Sequence, residues 1–206
     1  MLKKAISIIM TAIILMISPG CAATMPVPRV ASPSMELLTT STGARYHWRL
    51  TESQRIKVIL NKNNLSNSYL IAIQQAVRFW NNKIGKDVLV IRFTGEIDFI
   101  PGAISIYRAQ LDSEQTAGGP NLVGQTVLGG DKDTGEISGA VILLDASLLP
   151  EHVAPTVIHE IGHALALAHD EDDENSLMFP YMWSATRQQI TAEDISAVRS
   201  QFILNQ

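Results

Sequence analysis

Hydrophobic residues recur along the chain at two spacings, which predict a mixture of strands and helices. Short apolar runs or alternations of strand length occupy residues 46–50, 55–60, 88–93, 103–107, 122–128 and 140–144. Apolar residues three and four apart cover residues 68–84 and 155–168 instead, which predicts helices that pack on a sheet. Because strands and helices mix without a strict repeat, the predicted fold class is α+β.

Some of these elements carry local signals that place them in the fold. Glycines flank the apolar segment 122–128, as is typical of a strand at the edge of a sheet. The helix predicted over 155–168 has Pro155 in its first turn, where a missing amide hydrogen is tolerated. The segment 140–144 is a continuous apolar run that ends in Asp145, so we expect a buried strand there.

The N-terminus has the layout of an export signal. Lys3 and Lys4 precede an apolar run over residues 5–17, and small residues follow up to Gly20. The run is too short to span a bilayer comfortably. We therefore predict a signal peptide over residues 1–20, with an uncleaved signal-anchor as the alternative.

Cys21 is the single cysteine of the chain and directly follows this signal. The segment 17–21 resembles a bacterial lipoprotein signal, in which the cysteine receives the lipid, although Ser18 stands where such signals usually carry leucine. Ordinary cleavage after Ala23 would instead remove Cys21. In either case the mature domain is predicted to have no disulfide, although exported proteins are free to form them.

Composition and charge indicate one globular domain behind a tether. Residues 21–44 are rich in Pro, Ser and Thr with little periodicity, which predicts a tether, and the folded domain is expected over 45–206. A hydrophobic content of 46% in 206 residues suits one well-buried domain. The net charge of −4 leaves no basic stripe for phosphates, so we expect no nucleic-acid binding, and we expect a monomer.

The residues His159, Glu160, Ile161, Gly162 and His163 form the pattern H-E-x-x-H inside the second predicted helix. Residues four apart lie on one face of a helix, about 6 Å apart along its axis, so both imidazoles can bind the same metal. The adjacent Glu160 is poorly placed to bind that metal. Its carboxylate can reach a metal-bound water, however, which suits a general base.

A third histidine, His169, follows His163 by six residues and could complete the site only if the helix ends between them. Three histidines would hold one Zn²⁺ and leave its fourth position for water. Zinc in that geometry lowers the pKa of the water towards about 7, so that Glu160 could take its proton and later pass it to a leaving amine.

Residues 159–169 resemble the extended zinc signature of the metzincin metallopeptidases, and Met178 resembles the methionine of their Met-turn. Within that clan the chain is most similar to the matrixins, with a core helix that carries Ala76 and Trp80 and a final helix over 190–198. The resemblance implies a twisted mixed β-sheet, an N-terminal core helix, a zinc-binding helix and a small C-terminal subdomain. It also implies an extended peptide substrate bound antiparallel along the edge strand.

Several residues depart from the matrixin pattern. Ala166 replaces the glycine of the signature, and if that position needs a positive φ the alanine costs about 1 kcal/mol. Asp170 after the third histidine is more similar to the adamalysin branch, whose disulfides this domain could not form. His47 and His152 are the histidines outside the motif, too few for the second, structural zinc of the matrixins, so we predict a single zinc.

Two further features leave alternatives open. Residues 170–175 include five carboxylates, which could hold Ca²⁺, but no EF-hand spacing is present and a solvated acidic loop is commoner. Tyr181 either lines the pocket, where it could donate to an oxyanion, or packs as an ordinary aromatic. The loop around Trp183 is expected to contribute to substrate specificity, which a single sequence does not define.

These observations predict an exported zinc endopeptidase, either a lipoprotein of the bacterial cell envelope or a secreted protein. Its metal ligands would be His159, His163 and His169, its general base Glu160, and its partner a protein or peptide substrate. Contact with a membrane is expected only through a lipid on Cys21. One alternative is a zinc-containing binding lipoprotein with weak or no catalysis, and another is a zinc hydrolase of non-peptide amides.

Overall fold

The computed structural model of the protein describes residues 37–51, 53–95, 100–111, 123–180, 189–200 and 202–204. All of them lie within the unit Ser32–Gln206. The described residues form a mixed α+β fold, which confirms the predicted class. Five strands make the main sheet and two short strands make a second sheet.

The strands in chain order are β1 (Trp48–Leu50), β2 (Ile56–Asn61), β3 (Leu89–Thr94), β4 (Ala103–Ala109), β5 (Gly124–Gly130), β6 (Ile137–Asp145) and β7 (Phe202–Leu204). The helices are α1 (Asn67–Ile84), α2 (Pro150–Ala164) and α3 (Ala192–Ser200), and a 3-10 helix (Lys62–Asn64) precedes α1. The first six strands correspond to the six predicted segments. Helix α1 confirms the predicted helix over 68–84, and α3 confirms the final helix with a shift of two residues.

The main sheet has the strand order β3-β2-β4-β6-β5. Strands β2, β3, β4 and β6 run parallel to one another, whereas β5 pairs antiparallel with β6. The sheet is therefore mixed, as the resemblance implies, and β5 is the edge strand that its flanking glycines predict. In this register Gly124 is opposite Leu144 and Thr126 is opposite Ile142.

Helix α1 has clear start and stop signals and packs its apolar face into the core. The hydroxyl of Ser66 caps its first turn by accepting from the amide of Tyr69, and Gly85 ends it with a φ of +76°. Trp80 is fully buried, and its indole nitrogen donates to the carbonyl of Ile158 at 2.9 Å. Helices α1 and α2 are thus joined by a hydrogen bond inside an apolar interface.

The bounds of α2 correct the predicted helix over 155–168. The helix begins at Pro150, which occupies its first turn, so Pro155 lies inside the helix instead. The earlier start adds a turn that buries Val153 completely in the same core as Val157. The helix also ends at Ala164, before the predicted end.

The N-terminal strap, residues 37–44, corrects the predicted boundary between tether and domain. Leu37 forms an isolated β-bridge with Leu167, and the amide of Leu38 donates to the carbonyl of Ala166 at 2.8 Å. Thr40 is also buried. These residues are therefore part of the folded domain, although the sequence predicted that they belong to the tether.

Strand β7 was not predicted. It pairs in parallel with β1, with Trp48 opposite Phe202, and so brings the end of the described chain beside its beginning. Three residues are too few to show a periodic pattern.

Several predictions fall outside the described residues: the signal peptide over 1–20, Cys21, the first part of the tether, Tyr181 and Trp183. None of the helices in the described part of the chain combines the length and the hydrophobicity needed to cross a membrane.

Candidate metal centre

Helix α2 carries three of the predicted functional residues near its C-terminal end. His159 and Glu160 are each 6% exposed, and His163 is partly buried. The apolar residue Ile161, which lies between the two histidines in sequence, is fully buried in the core. The helix therefore separates its packing face from the face that carries the imidazoles, as predicted.

The chain leaves α2 through a tight turn. His169 needs this turn in order to reach the other two histidines, as expected from the sequence. The amide of Leu167 donates to the carbonyl of Gly162 at 3.0 Å, and the amide of Ala166 donates to that of His163 at 2.8 Å. This pair of bonds is a Schellman motif, whose residue after the cap adopts the left-handed conformation. Ala166 has a φ of +63°, so alanine occupies the position where glycine is favoured.

Backbone carbonyls orient two of the imidazoles. Nδ1 of His159 lies 2.9 Å from the carbonyl oxygen of Leu177, and Nδ1 of His163 lies 2.8 Å from that of Leu167. A carbonyl oxygen can only accept, so each Nδ1 carries the hydrogen, and each Nε2 of a neutral ring has a lone pair to offer. Such outer hydrogen bonds are typical of metal-binding histidines.

The three predicted ligands converge through their Nε2 atoms. Nε2 of His163 lies 3.0 Å from Nε2 of both His159 and His169. The lone pairs of His159 and His163 face each other at this distance and repel, unless a cation lies between them. Ligand nitrogens of a tetrahedral zinc site are about 3.3 Å apart for Zn–N bonds of about 2.0–2.1 Å. The cluster therefore fits a zinc ion in donor type, donor number and spacing.

Burial keeps these histidines neutral. It lowers the pKa of His159 to about 4, against a smaller opposing effect of the Leu177 carbonyl. Burial and the neighbouring histidines likewise hold the pKa of His163 well below its usual range, and burial lowers the pKa of His169. Neutral imidazoles are the form that binds a metal.

Glu160 points its carboxylate toward the edge strand. The hydroxyl of Thr126 on β5 donates to Oε2 of Glu160 at 2.6 Å and lies 3.0 Å from the main-chain carbonyl oxygen of the same residue. Burial raises the pKa of Glu160 to about 7, although the Thr126 hydrogen bond opposes the increase. A buried carboxyl group with a pKa near neutrality is suited to accept and release a proton.

Met178 packs against α2, as expected for the methionine of a Met-turn. It is fully buried, and a Cβ added to Gly162 would lie 2.5 Å from its Sδ and 3.3 Å from a ring carbon of Trp80. The carbonyl of Met178 accepts from the amide of Asp170 at 3.0 Å, which fixes the segment just after His169. The turn therefore supports two of the predicted ligands, since Leu177 also holds His159.

The structure thus brings the three histidines together and places Glu160, the neighbour of His159, in the buried part of α2. The sequence reasoning missed Thr126 and Gly124, which contact Glu160 from β5. Each lies more than thirty residues before Glu160 in the chain, and only the prediction of an edge strand at 122–128 indicated that this segment is near the site.

Comparison with known proteins supports the interpretation of the geometry. The matrixin peptidase family matches residues 144–203, from the end of β6 through α2 and the Met-turn to β7. No curated protein matches the sequence significantly. The resemblance to the matrixins is therefore confirmed over this segment, and the match supports a metallopeptidase whose metal the three-histidine cluster could bind.

Proposed function

We propose that the protein is an exported zinc endopeptidase, with His159, His163 and His169 as the metal ligands and Glu160 as the general base. The observation that carries the proposal is the convergence of the three Nε2 atoms, together with the burial of Glu160, which is the neighbour of His159 on α2. Hydrolysis at a catalytic zinc site requires this combination of three ligands and a general base.

Zinc, when bound, would acidify a water molecule and polarise the carbonyl of the scissile peptide bond. The chain itself supplies the rest of the chemistry. The Nδ1 hydrogen bonds of His159 and His163 hold the imidazoles in the tautomer that binds metal. Glu160 would take the proton of the attacking water and return it to the leaving amine. Its burial excludes bulk water from the carboxylate while the proton is held.

The proposed substrate is a protein or peptide that binds in an extended conformation along β5. Within the described residues, β5 pairs only with β6, so its outer edge presents unpaired backbone groups. A substrate strand could add to this edge through main-chain hydrogen bonds, with side-chain pockets supplying specificity. Thr126 on β5 contacts Glu160, so a peptide on this edge would pass close to the proposed base.

Export and tethering are also proposals, supported by the N-terminal sequence. The apolar run over 5–17 after Lys3 and Lys4 supports export, and Cys21 supports attachment to a membrane by a lipid. The domain would then act as a monomer in the cell envelope, or as a secreted enzyme if the chain is cleaved after Ala23.

The test compares the purified full-length protein with its Glu160→Gln variant on a diverse pool of quenched-fluorescent peptides. The zinc content of both proteins is measured beforehand. We expect the parent to cleave peptides and the variant, at equal zinc, to lose at least about 100-fold in rate, as for removal of a general base. A parent that holds one zinc and cleaves no peptide in the pool would contradict the peptidase and favour a zinc-containing binding protein.

A further inference from the structure

We propose that Thr126 is a positioning residue that fixes the carboxylate of Glu160, and that Gly124 leaves the space this carboxylate occupies. The inference deepens the proposed function and rests on it. The Thr126 hydroxyl has a single hydrogen, and its distance of 2.6 Å to Oε2 of Glu160 is shorter than its 3.0 Å to the carbonyl oxygen. The shorter bond is the stronger of the two, so the carboxyl group is the main partner.

The edge strand presents both residues to α2. Side chains two apart on a strand point to the same face, so positions 124 and 126 face the same way. A Cβ added at Gly124 would lie 2.7 Å from Oε1 of Glu160 and 2.8 Å from a methyl group of Thr156 on α2. The two positions thus act on different oxygens of one carboxylate: Thr126 binds Oε2, and Gly124 makes room for Oε1.

The carboxylate of Glu160 depends on β5 for its hydrogen bond. In the part of the chain that the structure describes, Thr126 is the only residue that donates a hydrogen bond to this carboxylate. A glutamate side chain has three rotatable bonds, and fixing its carboxylate toward the reacting water would otherwise cost conformational entropy. A hydroxyl held on a paired strand supplies that constraint before the substrate binds.

The arrangement also connects substrate binding with the base. Thr126 belongs to the strand that we propose pairs with the peptide, and the same residue holds the carboxylate that would activate the water. A peptide that pairs with β5 would therefore have a fixed position relative to the carboxylate of Glu160. This connection makes Thr126 a positioning residue rather than a catalytic one, since its hydroxyl acts through Glu160.

The first experiment measures kcat and KM on one cleaved peptide for the full-length, zinc-loaded protein and three variants. Thr126→Val removes the hydroxyl and keeps the shape, and Thr126→Ser keeps the hydroxyl. Thr156→Val is the matched control: this neighbouring buried threonine donates its hydroxyl to the carbonyl of His152 at 2.7 Å. Zinc content is measured for every protein.

We expect Thr126→Val to lower kcat about tenfold or more, with KM changed less than about twofold, because transition-state positioning is lost while ground-state binding is kept. Thr126→Ser should stay within about threefold of the parent, and Thr156→Val should match the parent. A Thr126→Val variant with parental kcat overturns the proposal. So does a serine variant as slow as the valine variant, or a control that falls as far, because packing between β5 and α2 would then explain the loss.

A second experiment needs no activity and no metal. The thermal unfolding midpoint of the metal-free protein is measured for Thr126→Val in the parent and in the Glu160→Ala background. We expect the substitution to lower the midpoint in the parent and to have a clearly smaller effect once the carboxylate is absent. An equal shift in both backgrounds means that the hydroxyl acts on the Glu160 carbonyl or on packing, which overturns the proposal.

The two experiments separate failure of this inference from failure of the proposed function. A parent that cleaves no peptide contradicts the endopeptidase, whereas the unfolding comparison still decides whether Thr126 holds Glu160. Conversely, an active parent with no coupling between Thr126 and Glu160 leaves the endopeptidase standing and removes the positioning role.

Discussion

The amide of Leu38 donates a hydrogen bond of 2.8 Å to the carbonyl of Ala166. Ala166 is the one residue other than glycine with a positive φ among the described residues, and it lies in the turn between two proposed zinc ligands. The N-terminal strap therefore fixes the orientation of a strained peptide unit three residues before His169. The hydrogen bond helps to hold the left-handed turn in which alanine stands where the matrixin signature has glycine.

The first prediction tests the strain at Ala166. Ala166→Gly and Ala164→Gly each remove one fully buried methyl group, two residues apart. Ala164 is the last residue of α2, where glycine should lower the free energy of unfolding by about 1 kcal/mol. At Ala166 glycine should also relieve the left-handed strain, and this relief should offset the loss. We expect the Ala166→Gly protein to be more stable than the Ala164→Gly protein by about 1 kcal/mol in urea unfolding. Equal stabilities would contradict the strain.

The second prediction concerns the ligand set. His163→Ala should lower zinc affinity by more than about 100-fold and abolish peptide cleavage, because two nitrogens cannot hold the ion that three are placed to bind. The zinc content after dialysis against a weak chelator measures the effect. His152→Ala is the control, since His152 is an exposed histidine on the same helix outside the cluster. Full zinc retention in the His163→Ala protein would disprove its assignment as a ligand.

The third prediction concerns the space beside Glu160. Gly124→Ala should destabilise the fold by about 1–3 kcal/mol through overpacking and reduce peptide cleavage, because its Cβ would push the carboxylate off Thr126. Its φ is not in the left-handed region, so the backbone itself accepts alanine. Gly95→Ala serves as the control, because a Cβ there meets nothing within 4 Å. Unchanged cleavage by Gly124→Ala would show that Glu160 tolerates the displacement.

The fourth prediction is a pH dependence of stability at the end of β6. Burial alone would raise the pKa of Asp145, but hydrogen bonds from Ser147 and the Leu111 amide, together with the charge of Arg108, lower it below its ordinary value of 3.8. A lowered pKa in the folded state means that the charged carboxylate stabilises the protein above the ordinary value. That stabilisation is lost as the pH falls through the lowered pKa.

Asp145→Asn should therefore cost about 1–3 kcal/mol near pH 7, because a charged acceptor of several hydrogen bonds is lost. The difference from the parent should shrink as the pH falls below the ordinary value of 3.8 and through the lowered pKa, because the parent's own carboxylate becomes protonated. Urea unfolding of both proteins across this range measures the difference. A gap that stays constant over the whole range would contradict the assigned role of the charge.

The sequence by itself determined the elements that have a local pattern. The spacing of His159 and His163 defines one face of a helix, and the apolar periodicity of 68–84 defines the core helix, because both follow from 3.6 residues per turn. Glycines around 122–128 were sufficient to predict the edge strand. The requirement that the helix end before His169 also followed from helix geometry, and the structure confirms it at Ala164.

The tertiary structure decided what depends on contacts between distant residues. Thr126 reaches Glu160 across thirty-four positions, and β7 pairs with β1 from the opposite end of the described chain. The N-terminal strap folds onto Ala166 although its sequence has the composition of a tether. Such contacts leave no periodic trace in the sequence, because each partner satisfies only its own local backbone preferences. The free energy that selects these partners arises only when sheet, helix and turn have packed together.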